Sequence, residues 1–244
     1  MGNTKRNEPF GLQIHAFSEL LDIDLESLGC RGLIFDYGGT IDSRGMHWSE
    51  VISRGYSASG VEIPYDDFWE AYVYAERELA RVRLIAPTDN FLDLMRKKIA
   101  IELRRLKDTT GLRTDAPTAE AISLYCYDYA RKCTSEARPV LEALAGRFPM
   151  VMVSNFYGNL DAVLEDFGLR DYFNTVIDST VVGIRKPDAG IFRLGLEALS
   201  LSPAEAVTIG DSHSKDILPS RRLGINTVQL TIFSIDNGQL TIDN

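Results

Sequence analysis

The sequence is poor in cysteine and contains no long apolar run. Its three cysteines form no Cys-x-x-Cys pair, so neither a disulfide framework nor a zinc site is expected, and the thiols should be reduced. No segment approaches the run of about 18 apolar residues that a membrane span needs. Residues 1–9 are polar and of mixed charge, unlike a signal peptide. We therefore expect a cytoplasmic protein without a membrane partner.

An excess of positive charge is also missing. Lysine and arginine total 26 against 35 aspartates and glutamates, which gives a net charge of -9 and a pI of about 4.9. Nucleic acids bind surfaces with clustered lysine and arginine, so they are not expected partners. The 244 residues are 45% hydrophobic and 25% charged, as in a globular protein. This length predicts one large α/β domain, or a core domain that carries an insert.

An apolar run at 32–35 ends at Asp36 and is followed by Gly38, Gly39 and Thr40. This pattern is typical of a buried strand that delivers a carboxylate into a tight polar loop, as a nucleophile requires. An ordinary junction between a strand and a loop can look the same. The interpretation therefore depends on later stretches that fit it.

Two further regions differ in their periodicity. Residues 44–135 show helical periodicity without a convincing strand, and we interpret them as an inserted helical cap. Its main predicted helices are 66–83, 91–106 and 119–133. After residue 136, helices alternate with strands, which predicts a parallel sheet with helices on both faces. The predicted strands are 150–153, 175–177, 206–209 and 227–230.

These patterns divide the chain into three segments. Residues 1–43 are predicted to hold an N-terminal extension, the first core strand and the nucleophile loop, 44–135 the cap, and 136–244 the rest of the core. A repeat of Gln-Leu-Thr-Ile at 229–232 and 239–242 flanks an Asn-Gly pair. Asn-Gly between two strand-like runs predicts a C-terminal edge hairpin.

Polar side chains follow the predicted strands of the core. Ser154 and Asn155 follow one strand, Asp211 follows another, and Lys186 precedes a helix between them. In a parallel sheet, groups at the carboxyl ends of the strands meet at one edge. We therefore expect all of these residues to lie near Asp36.

Carboxylates brought together in this way repel each other. Asp36, Asp211 and Asp216 would share one edge, and a pair about 4 Å apart costs roughly 1 kcal/mol in water and about 4 kcal/mol at an effective dielectric of 20. A hard divalent cation such as Mg²⁺ would offset this repulsion and polarise a phosphoryl oxygen. Lys186 would neutralise further charge, and Ser154 with Asn155 would donate hydrogen bonds to phosphate.

The four stretches together resemble the motifs of the haloacid dehalogenase superfamily, subclass I, over about residues 32–230. The matching stretches are Asp36-Tyr37-Gly38-Gly39-Thr40, Val153-Ser154-Asn155, Lys186-Pro187-Asp188, and Gly210-Asp211-Ser212 with Asp216. Each motif alone is weak, but four in this order at strand ends are a specific signal.

The resemblance implies a Rossmann-like core, an inserted α-helical cap and a hydrolase of small phosphorylated metabolites. It implies Asp36 as the covalent nucleophile and Mg²⁺ held by Asp36, Asp211 and the backbone carbonyl of Gly38. The remaining expected site residues assist catalysis or bind substrate. The expected catalytic group is Asp36, Lys186 and Asp216, and the expected substrate-binding group is Ser154, Asn155, Gly39 and Thr40.

One position departs from the family pattern. Phosphatases of this family carry a second aspartate two residues after the nucleophile, as the acid for the leaving group and the base for water, and here that residue is Gly38. General acid–base catalysis contributes typically 10² to 10⁴ in rate, or about 3 to 5 kcal/mol of barrier. An ordinary alkyl phosphate should therefore be a poor substrate unless another group supplies the proton.

Three functions remain open at this point. The first is hydrolysis of phosphate esters or anhydrides, with the proton supplied by substrate, by water or by a neighbour such as His47. The second is hydrolysis of a carbon–phosphorus or carbon–halogen bond, the former through a cap lysine among Lys97, Lys98 and Lys107. The third is a non-catalytic binding module. Asp42 is either a substitute acid or a helix cap, and Asp216 could also cap the helix that begins at Ile217.

Overall fold

The computed structural model describes residues 9–231, 233–236 and 239–242. Its strands are β1 (Gly11–Ile14), β2 (Gly32–Phe35), β3 (Met150–Ser154), β4 (Thr175–Asp178), β5 (Ala206–Gly210), β6 (Asn226–Leu230), β7 (Phe233–Asp236) and β8 (Gln239–Ile242). Its α-helices are α1 (Trp48–Ala58), α2 (Tyr65–Arg81), α3 (Phe91–Thr110), α4 (Ala116–Ala145), α5 (Leu160–Asp166), α6 (Ser179–Val182), α7 (Gly190–Leu199) and α8 (Leu218–Leu223). None of the described helices is both long and apolar enough to cross a bilayer.

The central element is a parallel sheet with the strand order β1-β6-β5-β2-β3-β4. Strand β2 pairs with β3 on one side and with β5 on the other, so that Phe35 lies beside both Met152 and Ile209. The strands β3 and β4 lie on one side of β2, and β5 and β6 lie on the other, so the chain changes direction across the sheet at β2. Such a change leaves a crevice at the carboxyl end of the strand. Asp36, the residue after β2, therefore lies at the point where ligands bind in sheets of this type.

Side chains on the two faces of the sheet alternate as the strand period requires. Ile34 and Val153 pack with Phe192 of α7 on one face. Leu33 and Phe35 belong to a second cluster on the other face, which extends into helices α1 to α4. Apolar burial on both faces explains the continuous Val/Ile/Leu runs in the sequence and confirms the predicted α/β architecture.

The N-terminal segment contributes a strand that the sequence analysis did not predict. Strand β1 pairs in parallel with β6 and forms one edge of the sheet. Its pattern of three exposed residues and one buried residue gives little hydrophobic periodicity, which is why residues 1–30 were interpreted as an extension. A short 3₁₀ helix, Phe17–Asp22, follows β1.

The predicted C-terminal hairpin is wrong in its first strand. Gln229 and Leu230 belong to β6, which lies inside the parallel sheet between β5 and β1. The antiparallel pair is instead β7 with β8, in which Phe233 lies opposite Ile242. The Asn-Gly connection falls at 237–238, outside the described residues. The repeated tetrapeptide was misleading because its first copy resembles a hairpin strand and a buried sheet strand equally well.

The helices α1 to α4 lie between β2 and β3 in the sequence, and they are called the cap below. The helix that was predicted at 119–133 is longer and forms α4, so the predicted boundary at 135/136 falls inside it. Pro139 removes one backbone hydrogen bond from the interior of this helix. Ala137, Val140 and Leu141 are nevertheless buried on either side of the proline. Their packing offsets the lost hydrogen bond and keeps the helix continuous.

Candidate active site

Asp36 is held at the sheet edge by three side chains from different segments. Its Oδ2 accepts a hydrogen bond from Thr40 Oγ1 at 2.9 Å, and its Oδ1 accepts from Ser154 Oγ at 3.0 Å and from Lys186 Nζ at 2.6 Å. Only 5% of its surface is exposed. A buried carboxylate with this many donors is satisfied and has a fixed orientation, as a nucleophile requires.

Lys186 is the cation of the site. Its ammonium also donates to Asp216 Oδ1 at 2.5 Å. Burial acts to lower the pKa of Lys186, but attraction to Asp216 and Asp36 outweighs it and raises the pKa above the usual lysine value. Lys186 is therefore protonated at neutral pH and acts as a fixed positive charge.

Asn155 positions Lys186 instead of facing the open edge with its side chain. Its Oδ1 accepts from Lys186 N at 2.8 Å, while its Nδ2 donates to Lys186 O at 3.0 Å. Two hydrogen bonds to one backbone unit fix the loop between α6 and α7. The expectation that the Asn155 side chain donates to phosphate therefore receives no support from its contacts.

Asp36, Asp211 and Asp216 offer oxygen atoms within 4.8 Å of one another. Burial, followed by the charges of Asp36 and Asp216, raises the pKa of Asp211 well above its usual value. Burial also raises the pKa of Asp216 to about 6, although Lys186 opposes the shift. Three carboxylates and one ammonium carry a net charge of about -2 when all are ionised. This core cluster, which comprises Asp36, Asp211, Asp216 and Lys186, therefore carries excess negative charge that its own residues do not neutralise.

Two glycines allow the carboxylates to approach the backbone. A Cβ on Gly39 would lie 2.5 Å from Asp211 Oδ2, and Gly39 has φ +96, where other residues are strained. On Gly210 a Cβ would lie 2.6 Å from the Cβ of Asp216. The glycines that flank the polar residues in the first and fourth motifs are thus required by close packing.

A π-helical turn, His213–Ile217, delivers Asp216 to the site. Asp216 Oδ2 accepts from the backbone N–H of Ser212 at 3.1 Å, and its other oxygen accepts from Lys186. Asp216 lies inside the turn and caps no helix that begins at Ile217. Isolated π-turns are frequent at functional sites, and here the turn directs a carboxylate at Lys186.

The position of Gly38 is open. A Cβ added there would meet no heavy atom within 4 Å, and no other side chain fills the space beside Asp36 that the family's second aspartate would use. No such side chain is present among the described residues. The structure therefore leaves room for a side chain at position 38.

Asp42 stabilises the nucleophile loop and is not a helix cap. Its Oδ1 accepts from Gly39 N at 2.8 Å, and its Oδ2 accepts from Trp48 Nε1 at 3.0 Å. Burial raises the pKa of Asp42 to about 7 despite these two donors. The N-cap of α1 is His47, whose Nδ1 accepts from Ser49 N. Asp42 thus links the loop that carries Asp36 to the first turn of the cap.

A second group of charges lies in the cap and was missed. Lys98 of α3 is 2% exposed, contacts Glu76 of α2, and lies with its ammonium 4.5 Å from the ring centre of Tyr72. The Tyr157 hydroxyl, three residues after Ser154, lies 2.9 and 3.0 Å from the two carboxylate oxygens of Glu76. Lys98 is therefore a buried, paired lysine and does not lie on a solvated helix face.

Glu102 completes this cap cluster, which comprises Lys98, Glu76, Glu102 and Tyr157. Glu102 is fully buried, and its Oε2 accepts from Tyr56 OH at 3.1 Å. Its Oε1 has no hydrogen-bond partner among the described residues. Burial raises the pKa of Glu102 to about 7, against the opposing effect of Lys98. The cluster connects α1, α2 and α3 with the core loop that follows Ser154.

A sequence signal for the cap cluster exists in retrospect. The buried residues of α3 include Leu94, Lys98, Ile99 and Glu102, so the two charged residues lie on the apolar face of the helix. Leu103, the next residue in the sequence, is only half-buried. A charged residue at a position that helical periodicity assigns to the core indicates a buried ion pair.

Several known proteins are similar to this chain in sequence. A profile of the haloacid dehalogenase-like hydrolases matches residues 30–224. The haloacid dehalogenase-like hydrolase domain-containing protein 3 of Mus musculus is 38% identical over 78 residues, which cover 32% of this chain and 31% of that protein. Its Homo sapiens counterpart is 32% identical over 53% of this chain and 52% of its own length. Phosphoserine phosphatase of Thermus thermophilus is 41% identical over 25% of this chain and 24% of that protein.

The matched segments thus span between about a quarter and a half of these relatives. Among solved structures, the hydrolase YfnB of Bacillus subtilis, bound to magnesium, has a TM-score of 0.51 at 18% identity and covers 82% of this chain and 86% of its own. A dehalogenase structure has a TM-score of 0.56 at 18% identity, with 85% of each chain covered. At these identities, the structural matches show the fold. Because the profile covers well over half of the sequence, the chain belongs to the haloacid dehalogenase-like hydrolases.

Proposed function

We propose that this protein is a Mg²⁺-dependent phosphatase that transfers a phosphoryl group from a small phosphorylated metabolite to water through Asp36. The observation that carries the proposal is the set of contacts at the end of β2. Asp36 accepts from Lys186 and Ser154, and Asp211 and Asp216 lie beside it. A fixed carboxylate beside a fixed cation and two hydroxyls suits nucleophilic attack on phosphorus.

The donor set fits a hard divalent cation. The clustered ligands are carboxylate oxygens, which Mg²⁺ prefers, and the net charge of about -2 that the cluster carries when all its groups are ionised is what a divalent ion neutralises. Asp36, Asp211 and the Gly38 carbonyl would hold the ion. When bound there, it would supply charge neutralisation and polarise a phosphoryl oxygen. The magnesium in the YfnB structure agrees with this assignment.

Asp36 and the side chains that contact it have separate roles in the reaction. An oxygen of Asp36 forms a bond to phosphorus while the bond from phosphorus to the leaving oxygen breaks, which gives an aspartyl phosphate. Lys186, Ser154 and Thr40 orient Asp36 and stabilise charge on the phosphoryl oxygens. Water then attacks phosphorus, inorganic phosphate leaves, and the carboxylate of Asp36 is restored.

Proton transfer to the leaving group is the weak step. Gly38 carries no acid, both oxygens of Asp42 face the Gly39 N–H and the Trp48 indole, and Asp42 is 1% exposed. Partial burial and the charges of Lys215 and Lys98 lower the pKa of His47, so its imidazole is neutral at pH 7 and a poor acid. We infer that phosphates with stable leaving groups, such as anhydrides and aryl esters, react faster than alkyl esters.

The alternative with a Schiff-base lysine loses its support in the cap. Such a lysine must be neutral, but Glu76 and neighbouring groups raise the pKa of Lys98 well above its usual value despite burial. Lys97 contacts Asp89, and Lys107 lies in the exposed last turn of α3. The retained Asp211 and Asp216 favour a cation site over dehalogenation.

An assay over alkyl phosphates, aryl phosphates, acyl phosphates and phosphonates with Mg²⁺ tests the proposal. We expect turnover of at least one phosphate class and a loss of at least about 10³-fold in Asp36→Asn, because the nucleophile is removed. Asp108→Asn, which makes the same change on an exposed surface, should keep full activity. The absence of Asp36-dependent turnover on every class would favour the non-catalytic binding module.

A further inference from the structure

A cavity of about 290 Å³ lies between the cap and the core, and its charged lining is entirely basic. The cap contributes the end of α2 and residues 82–85, and the core contributes Tyr157, Ser179 and the loop before Lys186. Arg81, Arg83 and Arg185 line it, while no aspartate or glutamate does so among the described residues. In a chain of net charge -9, three guanidinium groups around one cavity are unexpected.

Two of these arginines are available for a ligand. Arg81 pairs with Glu78 on its own helix. Arg83 and Arg185 form no salt bridge with any carboxylate in the described part of the chain, and both are exposed. Arg185 influences Glu76 and Asp178 only through its charge, without a direct contact. Neighbouring guanidinium groups repel each other, and a bound anion would relieve that repulsion.

Two residues that line the cavity are close in sequence to residues of the active site. Arg185 immediately precedes Lys186, so their Cα atoms are about 3.8 Å apart. Lys186 is buried against Asp36, while the side chain of Arg185 faces the cavity. Tyr157, which also lines the cavity, is three residues from Ser154. A molecule with its phosphate at Asp36 could therefore place its other end in the cavity.

We propose that this cavity binds a second anionic group, a carboxylate or a phosphate, on the same substrate molecule whose phosphate reacts with Asp36. The proposal rests on the function proposed above. Guanidinium groups bind carboxylates and phosphates through paired hydrogen bonds. The volume lies at the lower end of ligand pockets, which suits one small anionic group rather than a whole metabolite. The substrate class is thus a phosphorylated metabolite with two anionic ends.

A binding experiment tests this without turnover. Asp36→Asn protein with Mg²⁺ is titrated calorimetrically with two matched pairs, glycerol 3-phosphate against 3-phosphoglycerate, and sorbitol 6-phosphate against 6-phosphogluconate. Within each pair only the second compound carries a carboxylate at the far end, and the two pairs differ in length. In at least one pair, we expect the doubly anionic compound to bind at least about tenfold more tightly, since a charge-assisted contact supplies this much.

The contribution of the cavity is isolated by adding Arg83→Gln and Arg185→Gln to the same protein. This change should remove the preference for the doubly anionic compound and alter binding of its partner less than twofold. Arg104→Gln, which removes the same charge from an exposed position of α3, should change neither. Equal weakening of both members of each pair, or no preference in either pair, would overturn the proposal.

Turnover of the same compounds by protein with an intact Asp36 separates this proposal from the phosphatase function. If the phosphatase function fails, no compound is hydrolysed, yet arginine-dependent binding can still be measured. If only the cavity proposal fails, hydrolysis continues and kcat/KM is the same with and without Arg83 and Arg185. If both hold, removal of the two arginines lowers kcat/KM at least about tenfold for the doubly anionic compound alone.

Discussion

The core cluster and the cap cluster are both buried groups of carboxylates around one lysine, but they resolve their excess negative charge differently. In the core, Asp211 is partly exposed and the space beside Gly38 is open, so a cation and a substrate can complete the charge balance. In the cap, Glu102 is fully buried, and its pKa is raised to about 7. A proton can therefore serve there in place of a ligand. Access for a ligand, and not charge alone, therefore distinguishes a binding site from a structural cluster.

The largest expected effect comes from adding an acid to the core. Gly38→Asp should raise the hydrolysis of alkyl phosphates by about 10² to 10⁴, because it restores a proton donor in a position with free space. The gain should be smaller for aryl phosphates, whose leaving groups need no proton. Rates for both classes are measured with Gly146→Asp as the control, an exposed glycine at the end of α4. Unchanged rates would mean that the open space is not the place where the acid acts.

This prediction depends on a part of the site that the sequence defined well. Asp36, Ser154 and Asp211 each follow a buried strand, and parallel strands bring their carboxyl ends to one edge. The contact between Lys186 and Asp36, 150 residues apart, follows from the same topology. Motif residues at strand ends were therefore predictable from periodicity and order, without any knowledge of side-chain contacts.

The cap cluster was not predictable in the same way. Lys98 and Glu76 lie on different helices, and no rule of local sequence specifies how two amphipathic helices pack. Asn155 shows a similar limit inside the core, since its position was predicted but its partner, the backbone of Lys186, was not. Strand β1 was missed because four residues at a sheet edge carry too little hydrophobic periodicity.

The structural role of the cap cluster can be tested by removing its lysine. Lys98→Met should lower the free energy of unfolding by about 3 kcal/mol, because it leaves Glu76 and Glu102 without their buried cation. The matched control is Lys97→Met on the same helix, whose partly exposed pair with Asp89 should contribute at most about 1 kcal/mol. Urea denaturation measures both.

A double variant shows whether the lost stability comes from the pair. Lys98→Met together with Glu76→Gln should cost less than the sum of the two single changes, because each single change leaves a charged partner behind. Additive losses would show that Lys98 acts through packing against Tyr72 alone.

The pH dependence of stability tests whether a proton completes the cap cluster. The pKa of Glu102 is raised from 4.5 to about 7 in the folded state, so the native protein binds more protons than the unfolded chain between these values. The contribution of Glu102 to stability therefore falls by about 3 kcal/mol as pH rises through this window. Glu102→Gln should remove this component, while the exposed Glu62→Gln should retain it. Parallel stability profiles for wild type and Glu102→Gln would contradict the assignment.

The smallest expected effect is the stabilisation of the folded protein by Mg²⁺. A ligand that binds only the native state contributes about 2.7 kcal/mol at 100 times its Kd, so the Tm should rise by several degrees with MgCl₂. The rise should disappear in Asp211→Asn, because the core cluster loses a ligand, and should persist in Glu102→Gln, because Glu102 lies outside the proposed cation site. Sodium chloride at equal ionic strength controls for screening of surface charges. If Glu102→Gln abolished the response and Asp211→Asn did not, the cation would belong to the cap, and the distinction between an accessible and a closed cluster would be wrong.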